Sequence, residues 1–205
     1  MDAKRKSLKA RERNEAVRAA WREDLAPVAP KELVFIDETG SHLGYTPTHA
    51  WAPRGARAYA TAPANRGENK TVVAALTLDG VGPRLRFDGA MTTVRFEGYV
   101  RHVLAPTLRT GQVVIADNLQ AHLSPVVRAA IEQRGARFLP LPASSPDFTP
   151  IEEAFSKGKA FLRRAEARTD HDLRAATWAA FATITQADAA GWVTHCGYPP
   201  RHQAS

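Results

Sequence analysis

Three short apolar runs stand out from a chain otherwise rich in charge and small residues: Leu33-Val34-Phe35-Ile36, residues 71–78, and Val113-Val114-Ile115-Ala116. Runs of this length, closed by turn signals, predict strands buried on both faces. The first closes on Asp37-Glu38-Thr39-Gly40 and the third on Asp117. The second ends at Asp79-Gly80, a hairpin signal, with 84–87 as the return strand. Residues 137–141 read as a last strand. The segment 41–68 is rich in Pro, Gly, Arg and small residues, and a hairpin with short strands near 50–52 and 58–61 is expected there.

Helical periodicity fills most of the rest. Residues 3–24 predict one amphipathic helix with a thin stripe of Ala16, Val17, Ala20 and Trp21, stopped by Pro27 and Pro30. Thr92 or Thr93 caps a helix carrying Phe96, Tyr99, Val100, Val103 and Leu104. Ser124-Pro125 opens another, with Ser as cap and Pro at the first helical position, and Gly135 stops it. A Pro/Ser loop over 142–150 leads into a helix through 164, and a helix pair follows over 169–183 and 185–195. Trp178, Phe181, Trp192 and Tyr198 are assigned to the core of these closing helices. Strands first, then strand–helix alternation, imply an α/β fold: a mixed sheet flanked by helices.

Composition narrows the class. A chain of 205 residues supports one sizeable core. No apolar run is long enough to span a membrane, and the charged N-terminus is not a secretory signal. A single cysteine, Cys196, forms neither an internal disulfide nor a Cys-based zinc site. It suits a reducing, cytoplasmic compartment. The net charge of +7 favours polyanionic partners, chiefly nucleic acid. That bias gains meaning only beside a site that acts on phosphates.

Two acids follow apolar strands, Asp37 after Val-Phe-Ile and Asp117 after Val-Ile-Ala. Ligand sites in open α/β sheets lie outside the carboxyl ends of the strands. Either acid alone reads equally as a turn-starting residue. On neighbouring strands their carboxylates would repel, and a divalent cation would relieve the repulsion. Paired metals suit in-line phosphoryl displacement. A third carboxylate is needed, and Glu152-Glu153 opens a helix after Pro150. Neighbours on a helix point about 100° apart, so one of the two faces the site. Glu152 borders the side marked by Ile151, Phe155 and Leu162, so it is assigned the third position; Glu153 is left a supporting or surface role.

Four segments carry a family resemblance: Phe35 to Gly40; Trp51-Ala52-Pro53-Arg54-Gly55; Asp117-Asn118-Leu119-Gln120-Ala121-His122; and Ser145-Pro146-Asp147-Phe148-Thr149-Pro150-Ile151-Glu152-Glu153. Together they resemble the D-D-E transposases of the mariner superfamily, most of all its bacterial branch, the insertion-sequence six-thirty family. The 34 residues between Asp117 and Glu152, positions 118 to 151, match that superfamily's spacing. The resemblance spans about residues 7–198. It implies a ribonuclease H-like fold, with residues 1–30 as a linker helix, 31–168 as the catalytic domain and 169–205 as its helical closure. It implies that Asp37, Asp117 and Glu152 hold two Mg²⁺ (or Mn²⁺) ions. The activity implied is strand cleavage that frees a 3′-hydroxyl at a transposon end, followed by attack of that hydroxyl on target DNA at TA dinucleotides.

Implied partners are DNA and a second copy of the chain, at the bacterial nucleoid. Family members carry an upstream helix-turn-helix region that recognises the DNA ends. Its absence here leaves two expectations: a second reading frame or a truncated copy. Thr149 stands where the family usually has Asn, and the segment 41–50 is idiosyncratic.

Several residues carry two readings each. His122 and Asn118 are either polar contacts or supports near substrate and metal, and Glu38 projects from the strand face opposite to Asp37. Trp51 and Arg54 either meet DNA, or a dimer partner, or pack on the sheet edge. Lys157, Lys159, Arg163 and Arg164 either contact phosphates or form a solvated face that complements the helix dipole. The competing functions are a non-transposase ribonuclease H-like nuclease and a non-catalytic remnant that binds DNA or full-length copies and regulates them.

Overall fold

The apolar runs become strands because helices cover both of their faces. In the computed structural model, which describes residue 11 and residues 13–199, the strands are β1 (Leu33–Ser41), β2 (Lys70–Thr77), β3 (Gly80–Asp88), β4 (Val113–Ala116) and β5 (Arg137–Pro140). They form one sheet in the order β3-β2-β1-β4-β5. β1, β4 and β5 run parallel; β2 and β3 are antiparallel additions. The helices are α1 (Glu15–Leu25), α2 (Thr93–Tyr99), α3 (Pro125–Glu132), α4 (Ile151–Ala165), α5 (Asp170–Ala182) and α6 (Gln186–His195). No described helix is long and apolar enough to cross a membrane.

Side chains alternate across a strand, so each run feeds two cores. Leu33, Phe35, Val113 and Ile115 join residues of α1, α4, α5 and α6 on one face. Val34, Ile36, Val114 and Ala116 join Phe96, Tyr99, Val127 and Ile131 of the α2–α3 side. Fully burying such a side chain contributes about 1.5–3 kcal/mol, which explains the continuous rather than alternating apolar pattern.

Local chemistry sets the helix ends. Ser124 caps α3 ahead of Pro125, and Thr169 caps α5. Thr185 and Asp188 form a capping box at α6. α2 continues into a π-helical turn, Val100–Leu104, before Pro106 ends the unit.

Four expectations need correction. β1 does not stop at Ile36: it continues to Ser41, because β2 supplies a full antiparallel ladder from Phe35↔Leu76 to Ser41↔Lys70. Asp37 therefore sits within a strand. No strands form near 50–52 or 58–61. Both edges of β1 are already taken by β2 and β4, and Pro47, Pro53 and Pro63 interrupt any ladder of their own. The first helix starts at Glu15, with Asn14 accepting from the amides of Ala16 and Val17; of the expected span 3–24, residues 1–10 and 12 lie outside the described residues. Its buried face is Arg18, Trp21 and Leu25, not the stripe with Ala16 and Val17, because the Arg18 guanidinium lies against the aromatic ring of Phe148.

Candidate active site

The parallel register of β1 and β4 runs Leu33↔Val113, Val34↔Val114, Phe35↔Ile115. Continued by two steps, it sets Asp37 beside Asp117. By strand alternation Asp37 shares the face of Phe35, toward α4, and Glu38 the face of Ile36, toward α2. Asp37, Asp117 and Glu152 line one cleft of about 370 Å³, together with Asn118, Leu119 and the loop 141–150. A second cleft of about 310 Å³ continues from Asp37 and Glu152 past Lys159 and Arg163 along α4.

His122 ties this arrangement together. It is 0% exposed and its ring lies on Phe96, centroids 4.0 Å apart. Nδ1 donates to Asp117 Oδ1, and Nε2 lies 3.0 Å from Glu38 Oε2. Asp117 Oδ1 also accepts from the Leu119 amide at 3.0 Å. Both imidazole nitrogens face carboxylates, so neither is free to bind a metal; the ring holds Asp117 in place instead.

The charges divide the two aspartates. Burial pushes Asp37 up to about 7, with the neighbouring charges of Glu38 and Asp117 adding to it, while the Glu38 amide works the other way. Burial also acts to raise Asp117, but bonds from His122 and the Leu119 amide outweigh it and hold the carboxyl below its ordinary value. For His122 burial is likewise outweighed: its two carboxylate partners raise it to about 9. Glu152 is raised by burial and by Glu153 beside it. Asp37 is thus a carboxylate whose charge its surroundings disfavour, which is the condition a bound cation relieves.

The other sequence-predicted residues separate. Glu152 is exposed at the start of α4, and Glu153 is half-buried with Oε2 enclosed and without a hydrogen-bond partner. Asn118 is exposed on the cleft rim. Lys159 and Arg163 line the second cleft, and Arg163 also lies over Tyr45 at 5.6 Å. Arg164 is exposed. Lys157 points to α6, its Nζ 2.6 Å from Asp188 Oδ2. Trp51, at 103% exposure, packs on nothing, and Arg54 is exposed beside it. Among the described residues no three His, Cys, Asp or Glu side chains converge tightly enough to hold a metal ion between them. Sequence reasoning missed Arg18, and it quoted Asp147 only within a family segment; the two brace the loop leading to Glu152, and no local signal marks the arginine as buried.

The sequence matches the DDE superfamily endonuclease family over residues 32–174. The chain belongs to that family. No curated protein shows significant sequence similarity to it. Among solved structures, the DDE domain resembles the Mos1 strand transfer complex, with a TM-score of 0.66 at 17% identity over 96% of this chain and 62% of that one. The Mos1 mariner paired-end complex with Mg gives a TM-score of 0.71 at 15% identity, over 96% and 64%. The catalytic domain of Mos1 mariner transposase gives 0.54 at 14% identity, over 89% and 82%. At these identities the likeness establishes the fold: the mixed five-stranded sheet flanked by helices is the ribonuclease H-like one. The chain spans about three fifths of the first of these structures.

Proposed function

We propose that this DDE domain is the catalytic part of a transposase of the mariner superfamily, in its bacterial insertion-sequence six-thirty branch. It cleaves DNA strands at transposon ends and joins them to target DNA. The observation that carries this reading is the pairing of Asp37 and Asp117 on adjacent parallel strands, in one cleft with Glu152. By type the donors suit hard divalent cations, three carboxylates from three elements lining one cleft, although in this structure they do not converge on one point. Asp37, Asp117 and Glu152 would hold Mg²⁺ or Mn²⁺. Two such ions, when bound, would supply charge stabilisation for the attacking and leaving oxygens of an in-line displacement.

The chain's own residues do the rest. His122 fixes Asp117 through one nitrogen and Glu38 through the other. Lys159 and Arg163, along the second cleft, neutralise backbone phosphates as a strand enters. Trp51 and Arg54 reach DNA or a second copy of the chain from the exposed loop, within a homodimer on DNA. Recognition of the transposon ends would fall to a helix-turn-helix region of the kind family members carry.

The test is Mn²⁺-dependent strand cleavage by purified protein with such a DNA-recognition region supplied. Asp117→Asn and Glu152→Gln abolish cleavage while the circular dichroism spectrum is kept, and Glu153→Gln retains most of it. Unchanged cleavage in Asp117→Asn refutes the assignment; Glu153→Gln harming more than Glu152→Gln moves the third ligand to Glu153.

A further inference from the structure

The loop 141–150 forms one wall of the acidic cleft and delivers the chain to Glu152. Its internal support is thin. Within it Ser145 Oγ donates to the Ala143 carbonyl at 3.3 Å, and the amides of Phe148 and Thr149 to the carbonyls of Ser145 and Pro146 at 3.0 and 3.1 Å. Pro142, Pro146 and Pro150 donate nothing. Ser144 is held at φ 55, a left-handed conformation that a non-glycine residue keeps only where its surroundings impose it.

The imposed shape comes from the two ends of the described chain. In α1, Trp21 Nε1 donates to the Pro140 carbonyl at 2.9 Å, fixing the entry to the loop. Arg18 forks onto Asp147, Nη1 to Oδ1 at 3.1 Å and Nη2 to Oδ2 at 2.6 Å. The Phe148 ring is enclosed by cations and an indole: Arg18 and Arg22 carbons lie 3.8 and 3.9 Å from its centroid, and Trp21 stacks at 5.4 Å. After α6, Tyr198 donates its hydroxyl to the Phe148 carbonyl at 2.7 Å. Arg22 Nη2 closes the ring of contacts by donating to the Cys196 carbonyl at 3.1 Å. Arg18 is 4% exposed and Phe148 2%.

We infer that Arg18, Trp21 and Tyr198 are positioning residues for the acidic site: α1 and the turn after α6 clasp the loop 141–150 and thereby set where Glu152 stands relative to Asp37 and Asp117. The inference rests on the metal-dependent reading above for its consequence, but the clasp itself is independent of it. A bidentate guanidinium stacked on a ring is a stiff restraint that lysine does not reproduce. Outer contacts of this kind typically change metal affinity by about 10–100-fold. None of these residues touches the cleft, so their effect has to pass through the loop.

The experiment compares the wild-type chain with Arg18→Met, Arg18→Lys, Tyr198→Phe and a control, Leu173→Ala, which empties a separate cluster at the far end of α4. Two quantities are read: hydrogen exchange of the amides in 141–150, and Mn²⁺ affinity followed by electron paramagnetic resonance of the free ion. Arg18→Met and Tyr198→Phe accelerate exchange in the loop about 10-fold or more and weaken Mn²⁺ by a similar factor, with β1, β2 and β4 unchanged. Arg18→Lys recovers part of both, and Leu173→Ala changes neither. Tyr198→Phe removes one hydroxyl and keeps the fold, so it decides the matter if Arg18→Met fails to fold. Loop exchange equal to wild type, or a loosened loop with undiminished Mn²⁺ affinity, overturns the inference. Absent Mn²⁺ binding in the wild type counts against the metal-dependent function, and the clasp then stands or falls on exchange alone.

Discussion

Two irregular segments of the chain, one lining the acidic cleft and one following β1, are held in opposite ways. Both the loop 141–150 and the segment 42–69 are interrupted by Pro and carry Thr and Ala, the first adding Ser and the second Gly and Arg. The first is gripped by an ion pair, stacked rings and a tyrosine hydroxyl. The second is anchored only near its ends, where Arg168 donates to the carbonyls of Leu43 and Tyr45 and the Leu43 amide meets the Arg66 carbonyl. Between those anchors residues 47–62 are exposed, including Trp51 and Tyr59. Two proline-interrupted segments thus differ in what holds them. One forms a fixed wall of the acidic cleft, and the other leaves aromatic and basic side chains outward, uncovered by the fold.

The sharpest break between the two segments is in stability. Phe148→Ala empties an enclosed aromatic site and costs about 3–5 kcal/mol in urea unfolding, whereas Trp51→Ala stays within about 0.5 kcal/mol. A small effect at Phe148 would erase the distinction.

If the site lined by the gripped loop takes a cation, that cation has to displace a proton. Asp37 stands at about 7 in the metal-free protein. As a raised carboxyl, it makes the metal-free fold bind more protons than the unfolded chain, so its contribution to stability falls as pH rises from the ordinary carboxylate value toward 7. Mn²⁺ binding runs the other way. Below about pH 7 affinity drops by up to about 10-fold per unit, with about half a proton released per binding event at pH 7 and close to one well below it. Calorimetry in buffers of different ionisation enthalpy reads the proton count, and a pH-independent affinity would separate Asp37 from the metal.

His122→Gln keeps a polar group but loses the two-carboxylate bridge, and it weakens Mn²⁺ by about 10–100-fold. Equal affinity would leave His122 a packing residue on Phe96. On the exposed segment, Trp51→Ala lowers affinity for single-stranded DNA by about 1–3 kcal/mol if the indole stacks on a base. An unchanged affinity with a shifted monomer–dimer equilibrium would assign the residue to a second copy instead.

Much of the fold was legible because both-face burial writes itself as apolar runs, and capping residues mark their helices directly: Ser124-Pro125, Thr169 and Thr185 each stand where the sequence suggests. The pairing of Asp37 with Asp117 was legible as an expectation from two acids following two such runs. What was not legible depends on partners distant in sequence. That β1 continues to Ser41 is decided by β2, not by the turn-like Glu38-Thr39-Gly40. That residues 50–61 form no strands is decided by the absence of a free edge on β1. That Arg18 is buried is decided by Asp147 and Phe148, 129 residues away in the case of Asp147. His122, at the end of a family motif, reads either as a polar contact or as a support near the site until Glu38 is found on its other nitrogen.

The central claim is that Asp37 and Asp117 form one metal-binding site, and Mn²⁺ binding to the purified chain tests it most directly, wild type beside Asp37→Asn/Asp117→Asn. The measurement requires no knowledge of the DNA ends. Binding by the wild type that is lost in a folded double mutant is the predicted result. No binding by the wild type, or binding that survives in the double mutant, would contradict the claim and favour a domain that acts through contacts rather than catalysis.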